Sequence, residues 1–598
     1  MGEIEKRRRH GVKDIITKRV GILAVVGMFY SMCCAGAYGV EEMIPDLGPG
    51  LTLVLLMVLP FVWALPYSFI CAELGSARPV EGGSMIWVKE ALGEFWFGIM
   101  VIVNFIWALV ANTVYSVLAV SYLGNVIDLN DYQAYALKVG IILIFFIINV
   151  LGIKEVGFVN TLLSVLVFIA FLLVAVVGFS NMQSNPFVPF MSDEYDGSIF
   201  MTVGAGLGLG LWMYSGFDEI SVVAGEIKEA KRVIPRALMI VIPLMMLTYI
   251  LPTMAGVGSI GDWQDWTTDP EGVGYHTVLA EYMPPAFSIF FIVVAVMGQC
   301  TIFNICVAIA GRCGLILADE NFGPKSLAKL GTKRGTPYVS LIIVAIVTIA
   351  LLGTPNNQLE FTFLVLVDVF FTVIVCTLTV ISAYILKRSI PDEEVPFKTP
   401  GGKKGHNLSI GLVLFFCLAL ILTNGTDYFL GGYMIMLLIP ILYVIGKWVW
   451  GGAAKNEPEK YPVNPKTKLG FGDLRKIGGY FAGFGVFGLA VRLFLQFYDG
   501  FWALGYPINP ADFTDYEVRV VAESPELVGP AGQVLDEGEY ELGDVWIPGY
   551  YEQEYGSGLF SSLDSMLQVI TYMGIASFVI GILVLLVGRK IDRKQSAA

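Results

Sequence analysis

Long apolar segments alternate with short polar ones along almost the entire chain. A hydrocarbon core of about 30 Å requires roughly 20 apolar residues in each helix that crosses it, and fourteen segments approach that length. Their residues are 20–44, 50–74, 95–122, 136–152, 157–180, 198–224, 235–258, 286–318, 337–353, 358–387, 407–424, 431–450, 477–498 and 565–588. This pattern predicts an all-α polytopic membrane protein.

The first and the sixth of these spans are interrupted by small residues, at CCAGAYG (33–39) and at YSGFD (214–218). Unwound backbone survives in a bilayer only where it is buried in protein or faces a polar cavity. A pair of interrupted helices at corresponding places in two halves of a chain points to the binding site of a secondary transporter. The two breaks therefore predict two inverted repeats of five helices within residues 20–388.

Composition and charge agree with this class and add an orientation. The 598 residues are 56% hydrophobic and 15% charged, with a mean hydropathy of +0.70. Lys and Arg gather in every second connection and at both ends, which predicts cytoplasmic termini. We expect the protein to lie in the cell (plasma) membrane. The other connections are acidic and account for the net charge of -13, so nucleic acid is excluded as a partner.

The polar segments divide the chain into five parts, of which the last is a helical pair. In the segment between those two helices, YEVRVVAE alternates as a β-strand does. We expect the helical pair to serve self-association or to bind a partner. The parts are a cytoplasmic amino terminus (1–19), a ten-helix transport core (20–388), two further spans (389–450), a Pro-, Gly- and Lys-rich cytoplasmic linker (451–476) and the helical pair (477–598), which encloses an acidic outer segment (499–564).

Nothing in the sequence indicates an enzyme or a metal protein. The eight cysteines lie in or beside predicted spans without CxxC or Cys/His spacing, and the chain has three histidines. This usage predicts neither a metal site nor a disulfide in the outer loops. No grouping of nucleophile, base and oxyanion donors appears, so we predict no catalytic residue and no bound cofactor.

The first break allows a ligand to approach the backbone closely, because Ala35, Gly36, Ala37 and Gly39 carry little or no side chain. Half-helices that end there direct N–H groups at an anion and C=O groups at a cation. This polarity suits the carboxylate and the ammonium group of an amino acid. Tight packing between helices is the alternative explanation of the small residues.

Carboxylates follow both breaks. Glu41 and Glu42 follow the first, and Asp218 and Glu219 follow the second. A charge within a membrane span is costly and therefore indicates function, as a cation ligand, a proton carrier, a gate or a partner for a polyamine. A solvated helix end is the alternative for the first two, whereas Asp368 lies deep in the tenth span and is a further candidate.

Five segments resemble the amino acid-polyamine-organocation permeases, over about residues 15–450. The most specific is the sixth span and the loop after it, with its aromatic residue, Gly-Phe-Asp, Glu and basic Pro-Arg stretch. The segments are GLGLGLWMYSGFDEISVVAGEIKEAKRVIPRAL, AELGSARPVEGGSMIWVKEALG (72–93), NVLGIKEVGFVN (149–160), AGRCGLILADENFGPKSLAKLGTKRGTP (310–337) and VPFKTPGG (395–402).

The resemblance implies a LeuT-type fold, in which two inverted repeats of five helices contain broken helices 1 and 6. Spans 11–14 and a small outer segment would complete the chain. It also implies alternating access, with substrate bound by backbone groups of the two breaks. Carried over to this sequence, the binding positions are Ala35, Gly36, Ala37 and Gly39 in the first break and Tyr214, Ser215, Gly216 and Phe217 in the second, with Phe217 as a gate over the pocket.

The chain departs from the family pattern at two places. Several members carry a Lys in the fifth span, where this chain has Val167, so a proton mechanism that depends on that lysine is in doubt. Thr301 in the eighth span then becomes a candidate ligand for a coupling ion, Na⁺ or H⁺, although a Thr that bonds its own helix is the alternative. The usual Asn-Pro after the sixth span is replaced by Glu229-Ala230.

The sequence favours an amino acid as substrate of a symporter or exchanger. A polyamine is the alternative, and it would need two or more separated anionic sites. A non-transporting sensor, or a subunit that anchors a partner on a permease scaffold, is a third interpretation. Flux of a labelled substrate separates the transporters from the sensor.

Overall fold

The computed structural model describes residues 20–34, 36–80, 82–124, 127, 129–192, 199–267, 272–331, 335–354, 357–358, 361–423, 425–503, 517–521, 524–528 and 563–596. Helices account for nearly all of this part. Eleven helices within it are long and apolar enough to cross a membrane, and three shorter apolar helices accompany them. The predicted all-α polytopic fold is thereby confirmed, while the inverted repeat stays a prediction.

The first half of the chain contributes nine helices. They are α1 (Ile22–Cys33), α2 (Val40–Leu47), α3 (Pro49–Leu59), α4 (Leu65–Ala77), α5 (Gly83–Leu92), α6 (Glu94–Gly124), α7 (Asp131–Leu151), α8 (Ile153–Ser180) and α9 (Ile199–Met213). A single π-helical turn, Pro60–Ala64, joins α3 to α4, and a 3₁₀-helix, Glu219–Glu226, follows α9.

The second half contributes nine more. They are α10 (Ala230–Ile260), α11 (Tyr275–Tyr282), α12 (Pro285–Asp319), α13 (Tyr338–Leu351), α14 (Phe361–Ser389), α15 (Gly402–Thr423), α16 (Thr426–Trp450), α17 (Asp473–Ala503) and α18 (Leu563–Ser596). Two short antiparallel strand pairs complete the described elements, β1 (Gly353–Thr354) with β2 (Asn357–Gln358), and β3 (Glu517–Val521) with β4 (Ser524–Val528).

The chain separates into two compact units. Of the described residues, the first comprises those within 20–192, 199–421 and 438–473, and the second those within 422–437 and 474–596. In the first unit α12 lies at the centre, because 83% of its most apolar stretch is buried. The corresponding stretch of α7 is 22% buried, which leaves a broad face for lipid. Helix α12 packs against α6 and α8, and α8 also packs against α1 and α10.

The second unit contains a close pair of helices, α17 and α18. A Cβ atom on Gly478 or Gly485 of α17 would lie 2.6 Å from a backbone nitrogen of α18, and one on Gly581 would lie 2.3 Å from a backbone nitrogen of α17. Glycine therefore permits backbone-to-backbone contact, as small residues do between membrane helices. Of the acidic segment 499–564, the strands β3 and β4 are described, and β3 lies where the alternation predicts a strand.

The predicted linker 451–476 contains a short turn and makes hydrogen bonds to the segment after α12. Ala453–Lys455 form a 3₁₀ turn, and the Gly452 N–H donates to the carbonyl oxygen of Asn321 at 2.8 Å. The side chains of Asn321 and Asn456 are also hydrogen-bonded, at 2.9 Å. Residues 451–473, which we call the strap, thus belong to the first unit.

Candidate substrate site

Both predicted breaks are present. Helix α1 ends at Cys33 and α2 begins at Val40, while α9 ends at Met213 and a 3₁₀-helix begins at Glu219. Gly36, Gly39 and Gly216 have φ angles of +121°, +92° and +90°, which glycine adopts without the steric cost that a side chain brings. The small residues therefore serve the turns themselves.

In the first break, Glu41 turns back onto the backbone. Its side-chain Oε2 accepts a hydrogen bond from the Gly39 N–H at 3.0 Å, and the side chain is buried. This bond satisfies an amide at the amino-terminal end of α2, where the helix dipole favours a carboxylate. Glu42 is half-buried and accepts from the Thr267 hydroxyl at 3.1 Å. The structure places Ala37 in the buried wall of the break.

In the second break, Tyr214, Ser215 and Phe217 make three different kinds of contact. Tyr214 is buried, and its hydroxyl donates to the Leu56 carbonyl at 3.0 Å. Because Pro60 has no N–H to offer that carbonyl, the tyrosine satisfies a group that α3 leaves open. The Ser215 hydroxyl, just past the end of α9, donates to the Leu211 carbonyl of that helix at 2.6 Å. Phe217 is buried, with its ring edge on Tyr67.

Tyr249 of α10 joins the two breaks. Its hydroxyl lies 3.2 Å from the carbonyl oxygen of Cys33 and 2.9 Å from that of Met213, the last residues of α1 and α9. Carbonyls at helix ends lack intrahelical donors, and one hydroxyl serves both here. The Tyr249 ring also packs edge-on against Tyr214 at 5.0 Å.

Asp218 is the last residue of the second break, and its charge also reaches Cys33 at the start of the first. It is 3% exposed, and its Oδ2 has no hydrogen-bond partner in the described part of the chain. Its charge reaches the thiols of Cys33, Cys71 and Cys376 and the Tyr67 side chain. A carboxylate buried among thiols and rings is costly unless a cation joins it. The neighbouring Glu219 is buried as well.

Several predicted site residues have other surroundings or are not described. The Thr301 hydroxyl donates to the Gly298 carbonyl of its own helix at 2.7 Å, in agreement with the alternative role. Ala35 and the Asp368 side chain lie outside the described residues, although Asp368 belongs to α14. The Thr301, Asp368 and Glu219 assignments stay predictions.

The sequence did not predict the polar contacts close to Val167, the position where several family members carry a Lys. Ser31 and Ser164 place their hydroxyl oxygens 2.9 Å apart across α1 and α8, and both lie within hydrogen-bond distance of the Gly27 carbonyl. Val167, one turn further along α8, is buried. Tyr249 was also missed, because a single Tyr in an apolar span carries no local signal of its long-range partners.

The segments that resemble the permease family contact one another through ion pairs, near the span ends that are joined by the basic connections. Glu73 accepts from Lys387 at 2.7 Å and from the Thr399 N–H at 3.1 Å, and His406 lies 3.2 Å away. Segments 72–93 and 395–402 therefore contact each other. Arg312 pairs with Glu226 at 2.7 Å, which joins α12 to the 3₁₀-helix of the second break.

Comparison with known proteins adds an independent line of argument. A family model described as amino acid permease matches residues 20–446. A probable polyamine transporter of Arabidopsis thaliana is 23% identical over 394 residues, 65% of this chain and 76% of its own length. The polyamine transporter RMV1 of the same plant is 24% identical (67% and 81% covered), and the branched-chain amino acid permease BcaP of Bacillus subtilis is 25% identical (74% and 94% covered).

Proposed function

Because this chain belongs to the amino acid permease family, whose members are transporters and not enzymes, we propose that it moves a small substrate bearing a protonated amine across the membrane. The observation that carries the proposal is Asp218, a buried carboxylate beside both helix breaks whose Oδ2 has no partner among the described residues. A substrate ammonium group supplies the missing positive charge and hydrogen-bond donors.

The mechanism that fits is secondary transport by alternating access, as a symporter or an exchanger. Discontinuous helices near the middle of the membrane bind charged substrate groups through their free ends. Here Tyr249 holds the carbonyl ends of α1 and α9 together, and the Arg312–Glu226 pair joins the moving 3₁₀-helix to α12. The coupling ion is Na⁺ or H⁺, and the absence of the span-five lysine makes a mechanism based on that lysine unsuitable.

Two substrate classes are supported. Polyamines are favoured by the two separated acids, Asp218 and Glu41, and by the use of the Gly39 N–H for Glu41 rather than for a substrate carboxylate. Two of the relatives are also named as polyamine transporters. Amino acids are favoured by the family match and by the relative from Bacillus subtilis. We propose that the protein lies in the plasma membrane, and the distribution of its Lys and Arg supports cytoplasmic termini.

Counterflow into proteoliposomes tests this function. The purified full-length protein is reconstituted with an internal excess of unlabelled putrescine or of mixed amino acids. Uptake of labelled putrescine, spermidine and individual amino acids is then measured with and without Na⁺ and a proton gradient. Accumulation of at least one amine-bearing substrate is expected, and the ion dependence identifies the coupling ion. No flux with any substrate would favour a sensor or an anchoring subunit.

A further inference from the structure

Glu41 lies in a pocket of aromatic rings beyond the first break. The side chain is 3% exposed, and no Lys, Arg or His pairs with it among the described residues. Its charge reaches three tyrosines, Tyr38, Tyr122 and Tyr275. These three rings together with Glu41 and Phe171 are called the Glu41 box below.

The rings of the box contact one another from three different helices and the first break. Their centroids are separated by 5.2 Å between Tyr38 and Tyr122, 4.9 Å between Tyr38 and Phe171, and 5.3 Å between Phe171 and Tyr275. Aromatic faces attract organic cations through the ring quadrupole, and the attraction strengthens when water is excluded. The box thus combines one buried carboxyl group with several aromatic rings.

Two hydroxyl groups of the box have no hydrogen-bond partner in the described part of the chain. They belong to Tyr38 and Tyr122, whose side chains are 5% and 6% exposed. Buried hydroxyls are nearly always hydrogen-bonded in native proteins, to protein, water or ligand. Hydroxyl oxygens and a carboxylate accept hydrogen bonds, which an ammonium group donates.

The box suits an alkylammonium group better than other ligands. An anion is repelled by Glu41, and a hard metal cation collects six or more oxygen ligands, which rings do not supply. Asp218 interacts with Cys33 at the start of the first break, and Glu41 lies just past its end at Gly39. One carboxylate therefore interacts with the residue that opens the break, and the other with the residue that closes it.

We propose that the Glu41 box binds the second ammonium group of a linear diamine or longer polyamine whose first ammonium group lies at Asp218. This inference rests on the proposed function and specifies its substrate class. A flexible methylene chain would then join the two ammonium groups across the break. Gly36 lets the rings of the box approach the backbone, because a Cβ atom there would lie 2.3 Å from the Tyr38 ring and 2.5 Å from the Phe171 ring.

Calorimetric titration of the purified full-length protein in lipid nanodiscs tests the box. Putrescine and butylamine share a four-carbon chain but carry two amines and one amine. For the native sequence, we expect putrescine to bind about tenfold or more tightly than butylamine. Glu41→Gln should abolish most of this difference, because the lost charge-assisted hydrogen bonds concern the second amine alone.

Two further variants keep the outcome interpretable. Asp46→Asn removes a half-buried acid from the same helix, α2, outside the box, and should leave the ratio of the two dissociation constants unchanged. Tyr122→Phe removes one hydroxyl and should weaken putrescine severalfold more than butylamine, and it replaces Glu41→Gln if that protein elutes aggregated in gel filtration.

The proposal is wrong if the native protein does not bind putrescine, or if Glu41→Gln weakens both amines by the same factor. Counterflow of amino acids or monoamines by the native protein would then leave the proposed function standing without the box. Conversely, selective loss of putrescine binding in a protein that transports nothing would support the box and reject the transport function.

Discussion

Two tyrosines illustrate how single side chains make broken helices tolerable in a membrane. Backbone groups freed by unwinding need partners within the protein. Tyr249 supplies one hydroxyl to the carbonyl ends of α1 and α9, and Tyr214 supplies another to the Leu56 carbonyl opposite Pro60. The breaks are therefore stabilised by side chains from other helices as well as by their own glycines.

Tyr249→Phe tests this account, because it removes the shared donor and leaves the ring in place. Two buried carbonyls then lose their hydrogen bond, which costs about 1–3 kcal/mol of unfolding free energy. We expect a lower thermal midpoint in detergent and a transport rate that falls more than the substrate affinity does. Tyr338→Phe, at the partly exposed start of α13, should change neither quantity. Equal behaviour of the two variants would show that the bridge contributes nothing.

Among the elements, the α17 and α18 pair depends on glycine at defined positions. Gly485→Ala would place a methyl group 2.6 Å from the Phe578 backbone nitrogen, so the helices must separate. Overpacking of this kind costs about 1–3 kcal/mol, which a titration with SDS followed by circular dichroism would measure as an earlier transition.

Gly483→Ala is the matched control. Gly483 lies on the same helix, and no neighbouring atom lies within 4 Å of the position that its Cβ atom would occupy. It should leave the transition unchanged or move it slightly later, since Ala favours helix over Gly. Similar destabilisation by both alanines would show that the close contact of α17 with α18 does not depend on glycine at position 485. We retain the proposal that this pair serves self-association or a partner.

Ion pairs hold the strap to the rest of the first unit. Lys89 of α5 pairs with Glu457 of the strap at 2.7 Å and with Glu320 after α12 at 2.8 Å. Nearby, Lys447 pairs with Glu94 and with Asp473, and Glu94 accepts from the Ala454 N–H at 3.0 Å. The strap follows the part of the chain that the family model matches, which ends at residue 446.

Glu457→Ala should loosen the strap and cost about 1.5–3 kcal/mol of stability through the lost charged hydrogen bond. Glu459→Ala, two residues away and exposed, should have little effect. Limited proteolysis of the native protein and both variants measures the difference as the cleavage rate within 451–473. Equal cleavage of the three proteins would contradict the role of the Lys89–Glu457 pair.

The same pair gives the strap a direction of pH dependence. Partial burial tends to raise the pKa of Glu457, but the hydrogen bond and the charge of Lys89 outweigh burial and leave this pKa below its ordinary value of 4.5. A lowered folded-state pKa means that the stabilisation is present above about pH 4.5 and is lost as the pH falls through the lowered value. Cleavage should therefore increase below pH 4.5, and less so in Glu457→Ala.

The sequence was informative where the signal is local. The apolar periods, the glycines of the breaks and the acids after them follow from bilayer thickness and backbone sterics, and the structure contains these elements. Tyr249, the Glu41 box and the strap could not be predicted, because each depends on residues brought together from distant spans. The composition of 451–476 predicts a linker, but it does not reveal the hydrogen bonds that residues of this segment make with Asn321 and Glu94.

At the scale of the whole molecule, the charge distribution agrees with a cationic substrate. The connections 181–199 and 259–284 contain no Lys or Arg, and 499–564 contains Arg519 alone. Acidic surfaces raise the local concentration of cations at low ionic strength. The buried acids at the breaks, Asp218 and Glu41, then offer the charges that such a substrate requires.

The central claim is that Asp218 holds the amine of the transported substrate. Counterflow of the best substrate by the native protein, Asp218→Asn and Asp262→Asn tests it most directly, since Asp262 is an exposed acid and the chemical change is the same. We predict that Asp218→Asn raises the half-saturating substrate concentration about tenfold or more, while Asp262→Asn transports as the native protein does. Unchanged affinity in correctly folded Asp218→Asn would contradict the account.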